Sequence, residues 1–95
     1  MIHILAKVSI EELPRFIGIF STHGARVRRQ HGSRGSEVFT VPGESDRVVV
    51  LFEWESREAF EGFLRDPATQ AMMSSSGTLG RPEFTFLEKL AELPG

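Results

Sequence analysis

Residues Arg47–Phe63, RVVVLFEWESREAFEGF, decide the fold, because a strand apolar on both faces runs there straight into a helix. Val48, Val50, Phe52 and Trp54 share one face of the strand, Val49 and Leu51 the other, before Glu53 and Glu55 turn polar. Such a strand belongs in the middle of a sheet, covered on both sides. Ser56 is placed as an N-cap, with Glu58 and Glu61 in the first turns, where carboxylates favour the positive end of the helix dipole. Ala59, Phe60, Phe63 and Leu64 form the stripe this helix buries.

Working outward, Ile2–Val8 alternates as a first strand, with Ile2, Ile4, Ala6 and Val8 on one face and His3, Leu5 and Lys7 on the other. A helix starting near Glu11–Leu13 accommodates Pro14 in its first turn, and Leu13, Phe16, Ile17 and Phe20 then give a buried face. Gly24 is expected to cap it, although nothing in Ala25–Gln30 forbids further helix. Arg26–Ser36, RVRRQHGSRGS, reads as a basic connector, with HGSRG a turn or bulge opening the next strand. Glu37–Val41 is that strand, and Pro42-Gly43 turns it into an antiparallel hairpin with the central one. Asp66 and Pro67 restart helix, with Ala68, Ala71 and Met72 as its apolar face. Gly77 and Gly80-Arg81-Pro82 are expected to end it, and Glu83–Leu90 closes the sheet before a tail at Glu92–Gly95.

The resulting order is βαββαβ, a ferredoxin-like α+β domain: a four-stranded antiparallel sheet with two helices on one face, spanning residues 1–95 as a single domain. At this size a chain hides only about 60–65% of the surface it exposes when unfolded. The helix-free face keeps Leu5 with one of the two apolar sets of the central strand, Val48, Val50, Phe52 and Trp54 or Val49 and Leu51, which is too apolar to leave wet, so a homodimer is expected.

Composition narrows the chemistry. With 40% hydrophobic and 25% charged residues the chain reads as an ordinary globular domain. No apolar run reaches the ~20 residues that span a bilayer, and no signal-like cleavage site follows the N-terminal strand, so no membrane partner and a cytoplasmic location are the expectations. The absence of Cys removes thiolate nucleophiles and thiolate metal sites, and no His, Asp or Glu spacing specifies another metal site. A net charge of −2 and the lack of a basic-glycine-aromatic strand argue against nucleic acid.

Three phrases, RRQHGSRGSEVF at Arg28–Phe39, VVVLFEWES at Val48–Ser56, and FLRDPATQAMMSSSG at Phe63–Gly77 followed by RPEFTFLE, make the chain resemble the dimeric α+β barrel superfamily. Within it the chain is similar to small proteins related to antibiotic-biosynthesis monooxygenases. The resemblance implies two sheets paired face to face as a dimeric α+β barrel, and a cleft in each subunit between sheet and helices. It implies a cofactor-free oxygenase or cyclase acting on a flat aromatic or polyketide-like molecule, or a non-catalytic ligand-binding or structural homodimer. Active relatives use Trp with Asn, Tyr and Arg to stabilise a substrate anion. Here Asn and Tyr are missing, and only Trp54 and the arginines stand in those roles. No His lies in Arg57–Ser76, which sets aside the haem-degrading branch.

His31 is the expected proton carrier, since imidazole ordinarily titrates near ~6.5. Arg28 and Arg29 are expected to hold the resulting anion, and Trp54, Phe63 and Met72 to wall the pocket. For each a simpler role is open: Trp54 and Met72 as core filling, the basic segment as a solvated turn or as ion pairs across the dimer.

Overall fold

A computed structural model describes residues 1–95. The elements are β1 (Ile2–Ile10), α1 (Leu13–Ile19), a π-helical turn (Phe20–Gly24), α2 (Ala25–Gln30), β2 (Ser33–Val41), β3 (Glu44–Trp54), α3 (Arg57–Arg65), α4 (Pro67–Ser75) and β4 (Thr78–Leu87). All neighbouring strands are antiparallel, in the order β2-β3-β1-β4. β3 is central as its two apolar faces require: Val48, Val50 and Trp54 are fully enclosed under the helices, and Phe52 nearly so. β1 pairs with it from Ile2 opposite Trp54 to Ser9 opposite Arg47, which puts Ile4, Ala6 and Val8 on the same covered face.

The first helix differs from expectation. Backbone angles at Ile19, Gly24 and Ala25 are all right-handed helical, so α1, the π-helical turn and α2 form one continuous rod, and Gly24 is internal to it. The rod ends at His31-Gly32, where Gly32 has φ +94° and a Cβ would meet the Glu55 carboxylate at 2.8 Å. The expected connector is thereby cut to two residues, and β2 begins at Ser33 with a register shift between Ser33 and Gly35, the bulge read from HGSRG. The extra residue of the π-helical turn rotates the C-terminal half of the rod, which buries Phe16, Gly24, Val27 and Arg28 along its length. Leu13 and Ile17, expected inside, are 36% and 40% exposed.

Ser56 caps α3 by accepting from the Ala59 N–H at 3.1 Å, and Phe60 and Phe63 are buried as expected. Asp66 caps α4 through the Ala68 N–H at 2.8 Å. The buried face of α4 is Thr69 and Met72, whereas Ala68 and Ala71 are exposed. Gly80-Arg81-Pro82 does not terminate the helix. It forms an irregularity inside β4, where the register on β1 shifts between Lys7 and Ser9, and an edge strand tolerates a proline that lacks an N–H.

Candidate functional site

A cleft opens between the helices and the covered sheet face. Its floor is Ala6, Val8, Val50, Phe52 and Phe84, and its walls are Phe16 and Phe20 from the first rod, Phe63 and Leu64 from α3, and Met72 and Met73 from α4. It holds about 460 Å³ of empty space with its open mouth included. The slot is narrow and almost wholly apolar.

Besides Ser76 and Thr78, which hydrogen-bond to each other at 2.9 Å, the one polar side chain in its lining is Arg28. It is only 6% exposed, and its side chain folds back along its own rod so that the guanidinium lies 3.8 Å over the Phe20 ring. The spacing Phe20, Gly24, Arg28 puts all three on one face, and Gly24 supplies the gap: a Cβ there would stand 2.9 Å from Arg28 Nη1. Nη1 is sealed from water and has no hydrogen-bond partner. Burial first, and the neighbouring charge of Arg29 second, pull the guanidinium down to about 10, so it stays charged at neutral pH. A lone buried cation that keeps a donor free is a costly arrangement, and an anion brought into the cleft would relieve it.

Gly24→Ala is expected to leave the fold intact, since alanine gains up to ~1 kcal/mol of helix propensity over glycine. Its methyl must nevertheless push the guanidinium aside. The methyl also stands 3.3 Å from the Ile19 carbonyl oxygen, which offsets the propensity gain. Thermal unfolding near the wild-type midpoint, together with weaker anion binding, is therefore the expected pair of results. Unchanged binding would remove Gly24 from the site.

The other expected site residues fall in different places. Phe63 and Met72 line the cleft with Arg28. Arg29 is exposed and lines a neighbouring groove. Trp54 is fully enclosed beneath the cleft, against Phe52, Phe60 and Phe63, and its indole N–H donates to the His31 carbonyl at 2.7 Å. The His31 imidazole does not line the cleft; its Nε2 lies 2.8 Å from Asp66 Oδ2. An ionised carboxylate only accepts, so the imidazole is the donor. Trp54 and Asp66 therefore clasp the end of α2, three residues beyond Arg28, to the end of β3 and the start of α4. Gly24 and Phe20 are site residues that sequence reasoning does not single out, although their spacing of four and eight residues from Arg28 is a readable sign. Nothing local ties His31 to Asp66, 35 positions away.

The His31 hydrogen bond, and after it the Ala68 N–H, hold Asp66 below the usual carboxylate range. A depressed carboxylate contributes stability that is fully present above its unfolded value near ~4 and is lost as pH falls through the folded value. Asp66→Asn, which retains a capping oxygen, is expected to flatten the acid limb of stability measured by urea unfolding from pH 5 to 2. An acid limb identical to wild type would show the clasp to be energetically idle.

No three His, Asp or Glu side chains converge to hold a metal ion, and no helix is long and apolar enough to cross a membrane. Among known proteins, the antibiotic biosynthesis monooxygenase family profile matches residues 1–75. No curated protein matches the chain. Among solved structures, SnoaB, a cofactor-independent oxygenase from Streptomyces nogalater, is 17% identical, with 99% of this chain and 97% of that one aligned at a TM-score of 0.77. A Caulobacter crescentus protein classed with the antibiotic biosynthesis monooxygenases is also 17% identical, over 95% and 90% of the two chains, at 0.74. An uncharacterised NIPSNAP domain protein from Burkholderia xenovorans is 22% identical over the full length of both, at 0.68.

Proposed function

Because this chain belongs to the antibiotic biosynthesis monooxygenase family, we propose that it is a cytoplasmic homodimer that binds a flat phenolic or polyketide-like aromatic in the cleft and oxidises it without a cofactor. The observation that carries this reading is the unpartnered Arg28 Nη1 in a narrow slot of aromatic and methionine side chains. Removing a proton from a bound phenol leaves a delocalised anion, and a charged donor aimed at that anion in a dry site lowers the barrier to forming it. The anion itself supplies the electrons to dioxygen: a ring CH₂ becomes C=O, one oxygen atom is retained and the other leaves as water. Arg28 holds the anion, Phe63 and Met72 pack its faces, and water at the cleft mouth takes the proton. His31, Trp54 and Asp66 act as positioning residues for the end of α2.

The test is oxygen uptake with a polycyclic phenol, 1,8-dihydroxyanthrone, followed together with Trp54 fluorescence. Consumption of one dioxygen per substrate, above the buffer rate, is expected. A buffer-level rate with no fluorescence change would leave the non-catalytic dimer as the reading.

The dimer rests on the helix-free sheet face, where Leu5, Val49 and Leu51 are only half-buried and Phe39 and Leu87 are 49% and 40% exposed. Leu51 lies between Leu5 on β1 and Glu37 on β2. In Leu51→Lys the new ammonium has Glu37 beside it within one subunit but an apolar face opposite. The variant is expected to run as a folded monomer in light scattering at a concentration where wild type is a dimer. Dimers of both would place the interface elsewhere.

A further inference from the structure

Phe20 and Arg28 wall more than the cleft. The same two side chains also line a separate open groove between the first helical rod and the edge strand β2. The polar lining of this groove is basic, with Arg28, Arg29 and Arg34 beside Ser33 and Ser36. Three arginines thus line one groove of a chain of net charge −2. One carboxylate answers them: Glu55, 3.7 Å from Arg34, with both side chains more than half exposed. Ser21, also in the lining, already donates its hydroxyl to the Ile17 carbonyl at 2.7 Å. Two polar atoms of the groove residues are sealed from water without a partner, Arg28 Nη1 and Ser36 Oγ. Each carries a desolvation penalty that a bound acceptor would remove.

We propose that this groove is a carboxylate subsite, and that the ligand is an aromatic carboxylic acid whose rings lie in the cleft on the other side of Phe20 and Arg28. The inference rests on the reading of the cleft as an aromatic-binding slot and adds the charged end of the molecule. A planar, two-oxygen anion matches the guanidinium fork, and its remaining lone pairs suit the Ser36 hydroxyl. Arg29 and Arg34, on α2 and β2, reach the groove from opposite sides. An aromatic without a carboxylate would satisfy the cleft but leave Ser36 Oγ without a partner and the groove arginines without an anion. The two compartments therefore divide the labour: the cleft recognises the ring system, and the groove selects for charge and sets which end of the molecule enters.

The experiment is a pair of calorimetric titrations of the full chain at pH 7, with 2-naphthoate and its uncharged isostere 2-naphthamide. These are run on wild type, on the double variant Arg29→Met/Arg34→Met and on Ser36→Ala. Wild type is expected to bind the acid ~10- to 100-fold more tightly than the amide, as a charge-assisted contact implies. That preference is expected to fall to within a few-fold in the double variant and to shrink in Ser36→Ala. Both arginines are exposed, so the fold tolerates their loss, and circular dichroism checks it. Equal binding of acid and amide by wild type would overturn the inference while leaving the aromatic cleft standing. A preference that survives the double variant would also overturn it, placing the anion on Arg28 alone. Failure of both probes to bind would remove the cleft reading and the subsite with it.

Discussion

Arg28→Met is expected to raise stability and abolish function together. The wild-type guanidinium is 6% exposed, has no carboxylate within ion-pair reach, and relies on the Phe20 face for its compensation. Methionine has a similar unbranched reach and fills the same space without a charge to desolvate. Replacing buried charge by apolar packing commonly gains ~1–4 kcal/mol, and ~1–3 is expected here, visible as a higher urea midpoint at unchanged slope. The gain is the same throughout the neutral range. A cation whose folded value is lowered to about 10 carries its full penalty at every pH below that, and the penalty lifts only as pH rises through it. Loss of the anion-holding donor is expected to cost ~100-fold or more in oxygen uptake. Arg28→Lys keeps the charge but not the stacked planar fork, and belongs between the two. If Arg28→Met loses stability instead, the side chain is structural and the site assignment falls. Stability held in reserve against function is a common signature of an active site.

Phe60→Ala is expected to be the most damaging apolar substitution. Phe60 is fully enclosed, and its ring lies 4.9–5.9 Å from those of Phe52, Trp54, Phe63, Phe84 and Phe86, joining α3 to both β3 and β4. Truncating a buried Phe costs ~3–5 kcal/mol. A domain of this size has roughly 5–14 kcal/mol in total. The midpoint of thermal unfolding should fall by ~12–40 °C, and the Trp54 emission, which reports the T-shaped contact with Phe60, should shift red. Phe60→Leu retains most of the volume and should lose markedly less. A Phe60→Ala protein that melts within a few degrees of wild type would mean that the aromatic cluster is not what holds α3 to the sheet.

The two outcomes are separable because they act on different parts of one constellation. Phe60 and Trp54 form the layer beneath the cleft, while Arg28, Phe20 and Gly24 form its upper wall. A variant of the lower layer loses stability and function in proportion. A variant of the upper wall dissociates them.

Much of this architecture is written in local periodicity. Alternation in VVVLFEW identifies a central strand, Ser56 and Asp66-Pro67 mark helix starts, and Pro42-Gly43 marks the hairpin, because each signal depends only on residues within a few positions. The same alternation gives the central strand two apolar faces, and the structure shows that Val49 and Leu51 are the set on the helix-free one. The errors have a common cause as well. Gly24 reads as a helix end because glycine commonly ends helices, but here the missing Cβ makes room for a guanidinium four residues later. Leu13 and Ile17 fit an α-helical stripe, and the π-helical turn after them shifts the phase so that Gly24, Val27 and Arg28 face inward. Gly80-Arg81-Pro82 looks like a breaker and is a strand irregularity, because β4 lies at a sheet edge where one N–H is not missed.

By itself, then, the sequence determined most of the element types and the central strand with its two apolar faces, all short-range consequences of side-chain period. Only the tertiary structure decided which arginine is buried, that His31 is clasped to Asp66 and Trp54 lies enclosed beneath the cleft, and that Phe20 and Arg28 divide an apolar slot from a basic groove. Those facts depend on contacts between residues far apart in the chain. The pattern of a single segment records which way a side chain points, and not what meets it there.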